Sequence, residues 1–252
     1  MVTTDKKPII EVSNLSKKFC TNLKLTIFYG AIDILSAFFP ALQNNSLRKS
    51  EFYALKDVTL NLEANNILGI MGDNGSGKST LLRIIAGIYE PNGGIVRTCG
   101  KVVSFLAAGT GFHPQLTVRE NVITYGILLG IKECDIINML DEIFEFADVK
   151  EFQNAPFATL SPGMGIRISF SVAIKAKPDI LLIDEVLAVA DEKFRKKAII
   201  AIKALAKSSI VIFVSHNKNI IKELCDSILI LQNGKVVAHN NLVEKTVDEY
   251  IG

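Results

Sequence analysis

The sequence predicts an α/β fold, on three observations. Short apolar runs alternate with longer stretches of helical period, the pattern of a largely parallel sheet covered by helices. Turn residues punctuate those runs at Asn65-Asn66, Gly93-Gly94 and Asn233-Gly234. From 117 to 176 the periodicity is helical throughout, which reads as a helical subdomain inserted into the sheet domain.

Taken in order, the runs read as strands are 9–12, 54–62, 67–71, 95–98, 102–105, 180–184, 210–214, 227–232 and 235–238. Between the first two lies an insertion, 19–51, whose apolar stretch 25–42 approaches the length a bilayer requires. Asp33 near its middle would cost roughly 2.5–3.5 kcal/mol in a membrane, and Gly30 and Pro40 weaken a continuous helix. Leu25, Phe28, Ile32, Leu35 and Phe39 recur at helical spacing, so the expectation is an amphipathic helix with one apolar face. That face packs on the chain's own core or is presented to a partner or an interface. Thr117, with Glu120 three residues on, starts the helical block with a capping box.

Composition bounds the function. The 252 residues are enough for a sizeable core and read as a single domain, 1–252. A net charge of +2 and the absence of basic runs argue against nucleic acid as a partner. Cys20, Cys99, Cys134 and Cys225 lie far apart, which suggests neither a zinc site nor a disulfide framework and fits a reducing cytoplasm. No apolar leader stands at the N-terminus, so export through a signal peptide is not expected. Mean hydropathy of +0.32 keeps membrane association in view.

Chemistry concentrates in two places. Gly72-Asp73-Asn74-Gly75-Ser76-Gly77-Lys78-Ser79 fits the phosphate-loop pattern, and it stands between a strand, 67–71, and a helix beginning near Lys78. Glycines let the backbone fold around a triphosphate so that amides and a helix N-terminus meet the oxygens. Lys78 supplies a point charge to the β- and γ-phosphates, Ser79 offers a hydroxyl to Mg²⁺, and Thr80 follows as part of the same nucleotide-binding run. The second place is the end of the apolar run 180–184, where Asp184 and Glu185 emerge. Asp184 can bind Mg²⁺, and Glu185 beside it can polarise the water that attacks the γ-phosphate, alongside Lys78.

Leu160-Ser161-Pro162-Gly163-Met164 just upstream of that strand, with His216 after the next, makes the chain resemble the ABC ATPases over nearly its whole length. The resemblance implies a P-loop fold with a RecA-like sheet core and an inserted helical subdomain. It also implies a homodimer in which Ser161 and Gly163 of one chain touch the γ-phosphate held by the other. His216 takes the place of the switch histidine, 186–191 that of the loop crossing the dimer interface, and Tyr53 that of the aromatic stacked on adenine. Gly109-Thr110-Gly111-Phe112-His113-Pro114-Gln115-Leu116-Thr117, with Arg119-Glu120-Asn121, is similar to exporters of lipid-linked polysaccharide, O-antigen above all. So is the insertion before Tyr53. The resemblance therefore implies an ATP- and Mg²⁺-dependent ATPase at the cytoplasmic face of the inner membrane, working with two copies of a separate permease. Capsule and teichoic-acid exporters, a soluble ABC ATPase and a regulator without turnover are the alternatives. Two departures stand out. Ala107 occupies the place of a metal-contacting Gln or Glu, with Gln115 displaced from it, and Pro162 brings no N–H to the signature.

Overall fold

The structure, a computed structural model, describes residues 9–38, 47–105, 111–185, 191–241 and 243–251. Among the described residues nine strands divide between two sheets. The first is antiparallel, β2 (Glu51–Glu63), β1 (Ile9–Cys20) and β4 (Gly93–Cys99) in that order. In the second the order is β5 (Val102–Phe105), β6 (Ile180–Asp184), β7 (Ile210–Val214), β3 (Asn66–Met71), β8 (Ser227–Gln232), β9 (Lys235–Asn240). Its strands are parallel except for β9.

The expectation of a largely parallel sheet holds for the second sheet only. Burial separates the two kinds. Along β2 buried and open residues alternate, as in a sheet with one solvated face, whereas β7 is buried at every position. Period-two geometry then sends alternate residues of the parallel strands into two cores. Leu181, Ile183, Val211 and Phe213 face one core, with α6 (Glu192–Ala206) and α7 (Lys218–Leu224). Ile180, Leu182, Ile210, Ile212 and Val214 face the other, formed with the antiparallel sheet and α2 (Lys78–Ile85).

Three helices, α3 (Val118–Leu128), α4 (Glu133–Ala147) and α5 (Pro162–Lys175), surround a third apolar cluster centred on Val122, Ile136, Ile143 and Ile168. The capping box at Thr117 and Glu120 is formed in both directions. Phe170 of α5 joins this unit to the parallel sheet, its ring 6.0 Å from Phe105 and 5.7 Å from Phe194, both edge-on. At the C-terminal end α8 (Val243–Ile251) packs on α7, β8 and β9.

The insertion carries α1 (Leu23–Phe38). Leu25 and Ile32 of the predicted stripe are half-buried, but Phe28 is 60% exposed together with Leu23 and Ile27. Apolar residues therefore stand on the open side of the helix as well. The Leu35 side chain, Phe39 and Pro40 fall outside what the structure describes. No helix among the described residues is long and apolar enough to cross a membrane.

Candidate functional site

Strand order assembles the site. β6, β7 and β3 are parallel neighbours, so Asp184, Val214 and Met71 end at one edge of the sheet, and the residues that follow each of them meet there. After Met71 comes the phosphate loop, after Asp184 comes Glu185, and after Val214 comes His216. An open pocket of about 530 Å³ lies at this edge, lined by Asn74, Gly75, Gly77, Lys78, Ser79, Thr80, Asp184 and Glu185, with Phe19, Phe52 and Ala54 as its apolar wall.

The loop's geometry suits a phosphate. Gly77 is the N-cap of α2 at φ 108°, and without a side chain it leaves the first-turn amides uncapped. A Cβ there would come within 2.5 Å of the Ala54 carbonyl oxygen, so close packing on β2 demands glycine. Lys78 is only 6% exposed, and its Nζ donates to the carbonyls of Gly72 and Asp73, each at 2.9 Å. Burial holds its amine below the ordinary lysine value, opposed by the charges of Glu185, Asp184 and Asp73. An anion in the loop would add a charged hydrogen-bond partner to the two carbonyls. The Ser76 hydroxyl, also buried, has no hydrogen-bond partner among the described residues. These features fit a triphosphate, and Ser79 and Asp184 in the same wall are oxygen groups that could hold a magnesium ion.

Glu185 has φ 49°, a left-handed backbone uncommon for a residue with a side chain. Its N–H donates to the Val214 carbonyl at 3.1 Å, and its carboxylate lies 2.8 Å from Nε2 of His216. Both side chains are about half exposed and reachable from solvent. A smaller cavity of about 290 Å³ at the start of the loop is bounded by Gly72, Asp73, His216, Gln232 and Tyr250. The β8–β9 turn supports the loop from below, where Gly234 N–H donates to the Ser76 carbonyl at 3.0 Å.

Tyr53 is not part of the pocket wall. In the β1–β2 register Lys18 pairs with Tyr53 and Phe19 with Phe52, so the two pairs face opposite sides of the hairpin. The Tyr53 ring is flanked by the ammonium groups of Lys18 and Lys56, 5.3 and 5.2 Å from its centroid. The aromatic rings of the apolar wall are those of Phe19 and Phe52, which the sequence reading missed. Its first strand ended at Val12, whereas β1 runs to Cys20 across irregular pairing between Val12 and Lys18.

Ser161 and Gly163 are also away from the pocket. Ser161 caps α5, accepting from Met164 N–H at 3.3 Å, and Pro162 takes the first helical position, where its missing N–H is not needed by the helix. Nothing lies within 4 Å of a Cβ built on Gly163. Gln115 is exposed and outside the pocket wall. Ala107, Gly109, Thr110 and the stretch 186–190 lie outside the described residues.

A parallel sheet whose strand ends carry a phosphate loop, an acidic pair and a histidine defines a P-loop nucleoside triphosphatase. Comparison with known proteins narrows this. The model of the ABC transporter family matches residues 55–188. An O-antigen export system ATP-binding protein RfbB of Klebsiella pneumoniae is 36% identical over 231 residues, 91% of this chain and 92% of that protein. A teichoic acids export ATP-binding protein TagH of Bacillus anthracis is 37% identical over 199 residues, 79% of this chain but 36% of its own length. Among solved structures, an ATP-binding subunit of an ABC transporter superposes with a TM-score of 0.76 at 20% identity, covering 96% of this chain and 93% of that one. A dimeric ATP-binding cassette bound to ADP and Pi does so at 0.71 and 23%, covering 92% and 97%. The chain belongs to the ABC transporter family, and within it to the ATP-binding, ATP-hydrolysing subunits.

Proposed function

We propose that this chain powers the export of a lipid-linked polysaccharide, O-antigen first, as a homodimer seated on two copies of a separate permease at the cytoplasmic face of the inner membrane. Similarity to RfbB over almost the full length of both proteins supports the cargo class. The dimeric cassette among the solved structures supports the fold in which two such chains would close. The similarity to TagH favours teichoic acid as the second reading of the cargo.

Hydrolysis is carried by one observation, the 2.8 Å contact between Glu185, in the wall of the lysine-bearing pocket, and His216. In this reading the amides of residues 74–79, with Lys78, Ser76 and Thr80, hold the phosphates, and Gly72 and Asp73 shape the start of the loop. Ser79 and Asp184 would hold Mg²⁺, which would supply positive charge beside the phosphates. Glu185 accepts the proton of the attacking water, and His216 orients that carboxylate and the γ-phosphate. Phe19 takes over from Tyr53 as the ring against the base. Ser161 and Gly163 reach the γ-phosphate of the partner chain from the start of α5.

Replacing Glu185 by Gln tests the assignment. Hydrolysis should fall by about 10²–10⁴-fold, the range for losing a general base, while ATP binding persists and the ATP-bound protein elutes as a dimer. Parental turnover in that variant would remove Glu185 from the chemistry. The transport reading predicts recovery of a membrane subunit when the chain is purified from its host in mild detergent; recovery of the chain alone, at native levels of both, would count against it.

A further inference from the structure

Among the cavities, the nucleotide pocket has a part of its wall that the phosphate chemistry does not use. Its polar side chains, Asn74, Lys78, Ser79, Thr80, Asp184 and Glu185, serve the phosphates, and the rest of its wall is apolar: Phe19, Phe52 and Ala54, of which Ala54 also meets Gly77 of the loop. Phe19 is held from behind by Tyr89, edge-on at 5.8 Å. Phe52 is 46% exposed, a large apolar ring left open beside a cavity. Their centroids are 6.3 Å apart and they are direct partners in the β1–β2 register.

That register pair is also the root of the insertion. Phe19, Cys20, Thr21 and Asn22 lead directly into α1, and Arg48 to Glu51 lead back to Phe52. Across the root Thr21 N–H donates to the Ser50 carbonyl at 3.0 Å, and Arg48 N–H donates to the Glu51 carboxylate at 2.7 Å. Asn22 caps the first turn of α1 by accepting from Lys24 N–H at 3.0 Å. Tyr29 in the helix then ties it to the returning strand. Its hydroxyl donates to the Lys49 carbonyl at 3.3 Å, and the Arg48 guanidinium lies 5.0 Å from its ring centroid. A continuous set of contacts runs from the apolar wall of the pocket to α1, without passing through the phosphate loop.

We infer that Phe52 is a second base-binding residue, that Phe19 and Phe52 together form the site for the purine ring, and that the base, rather than the phosphates, fixes the orientation of α1. This rests on the nucleotide reading above. A purine against both rings covers Phe52 and restricts the two strands at the point where the insertion leaves the sheet. The ordering passes through the Thr21–Ser50 rung and the Tyr29 tie to the helix. An inorganic triphosphate fills the loop and lacks the ring, so it should not act on the root.

Hydrogen–deuterium exchange on the full chain separates the two parts of the pocket wall, with saturating Mg-ATP or Mg-tripolyphosphate as probes. Both ligands should slow exchange in the loop and α2, residues 72–85. Only Mg-ATP should slow it, several-fold, in 20–30 and 47–52. Phe52→Ala, on an exposed position, should weaken ATP by about tenfold, keep tripolyphosphate affinity and lose the ATP-dependent protection at the root. Phe52→Tyr should restore both. Equal protection of the root by the two ligands, or protection that survives in Phe52→Ala at saturating ATP, overturns the inference and leaves the nucleotide site intact. Absence of protection at 72–85 with either ligand overturns the nucleotide reading itself, and the inference with it.

Discussion

Gly234 illustrates how a residue outside the pocket sets its shape. With φ 75° and space for a Cβ closed by the Ala54 carbonyl at 2.7 Å, it admits no larger side chain. Its N–H holds Ser76 and its carbonyl accepts from Lys56 N–H at 2.8 Å, so the turn links the phosphate loop to β2. Gly234→Ala should destabilise the protein by about 1–3 kcal/mol through the left-handed backbone and the clash, seen as a lowered urea midpoint. ATP affinity should fall as well, because the Ser76 carbonyl loses its fixed donor; unchanged affinity in the folded variant would show the loop to be independent of the turn. The Asn233-Gly234 pair was legible as a turn, but its contact with the loop was not, since nothing in a dipeptide says which distant backbone it meets. Lys78, Ser79, Asp184 and Glu185 were legible for the opposite reason. Their spacing is local, and the ends of parallel strands converge whatever the helices do. That Tyr53 lies outside the pocket wall was not legible, because a strand's two faces differ by one residue and irregular pairing near Lys17 and Lys18 decides which face Phe52 and Tyr53 take.

Elements were recovered better than their ends. Every predicted strand exists, but β1 extends to Cys20 because Asn14 to Lys18 pair irregularly and show no alternation to read. Separation into two sheets was hidden because strand pairing is settled by long-range packing. Helix α4 shows how elements are tied. Asp148, its C-cap at φ 53°, receives Lys197 at 3.0 Å and Lys193 at 3.3 Å from α6. The hydrogen bond from Lys197 leads the causes that hold its carboxyl below the ordinary 3.8. A depressed carboxyl stabilises the fold fully above its unfolded value and ceases to do so as pH falls through the lower folded value. Asp148→Asn keeps a residue that tolerates the left-handed backbone and removes the charge. At pH 7 the variant should be less stable by about 0.2–1 kcal/mol, the range for partly exposed pairs, and the gap should close below pH 3.8. A gap that persists under acid would assign the effect to packing.

At the scale of the molecule, the proposed function would divide each chain between two sites. The phosphate loop of a chain opens into its own pocket, while Ser161 and Gly163 at the head of α5 stand outside that pocket's wall with open space over Gly163. A helix N-terminus without an acidic residue in its first turn is suited to an anion, and in the proposed function that anion is the γ-phosphate held by a partner chain. If each ATP is enclosed by the loop of one chain and the α5 terminus of another, defects in the two halves should complement. Lys78→Ala removes the ammonium, and Gly163→Asp places a negative charge where phosphate would approach without disturbing packing. Each variant alone should hydrolyse almost no ATP, since both sites of its homodimer are damaged in the same half. Mixed in equal amounts, half of the dimers are mixed, and each of those keeps one intact composite site, so activity should recover to about a quarter of the parental sites. Recovery should rise and then saturate as one variant is titrated into the other. Mixtures as inactive as their components would mean that the two halves do not meet across chains, and the α5 terminus would then need another anion.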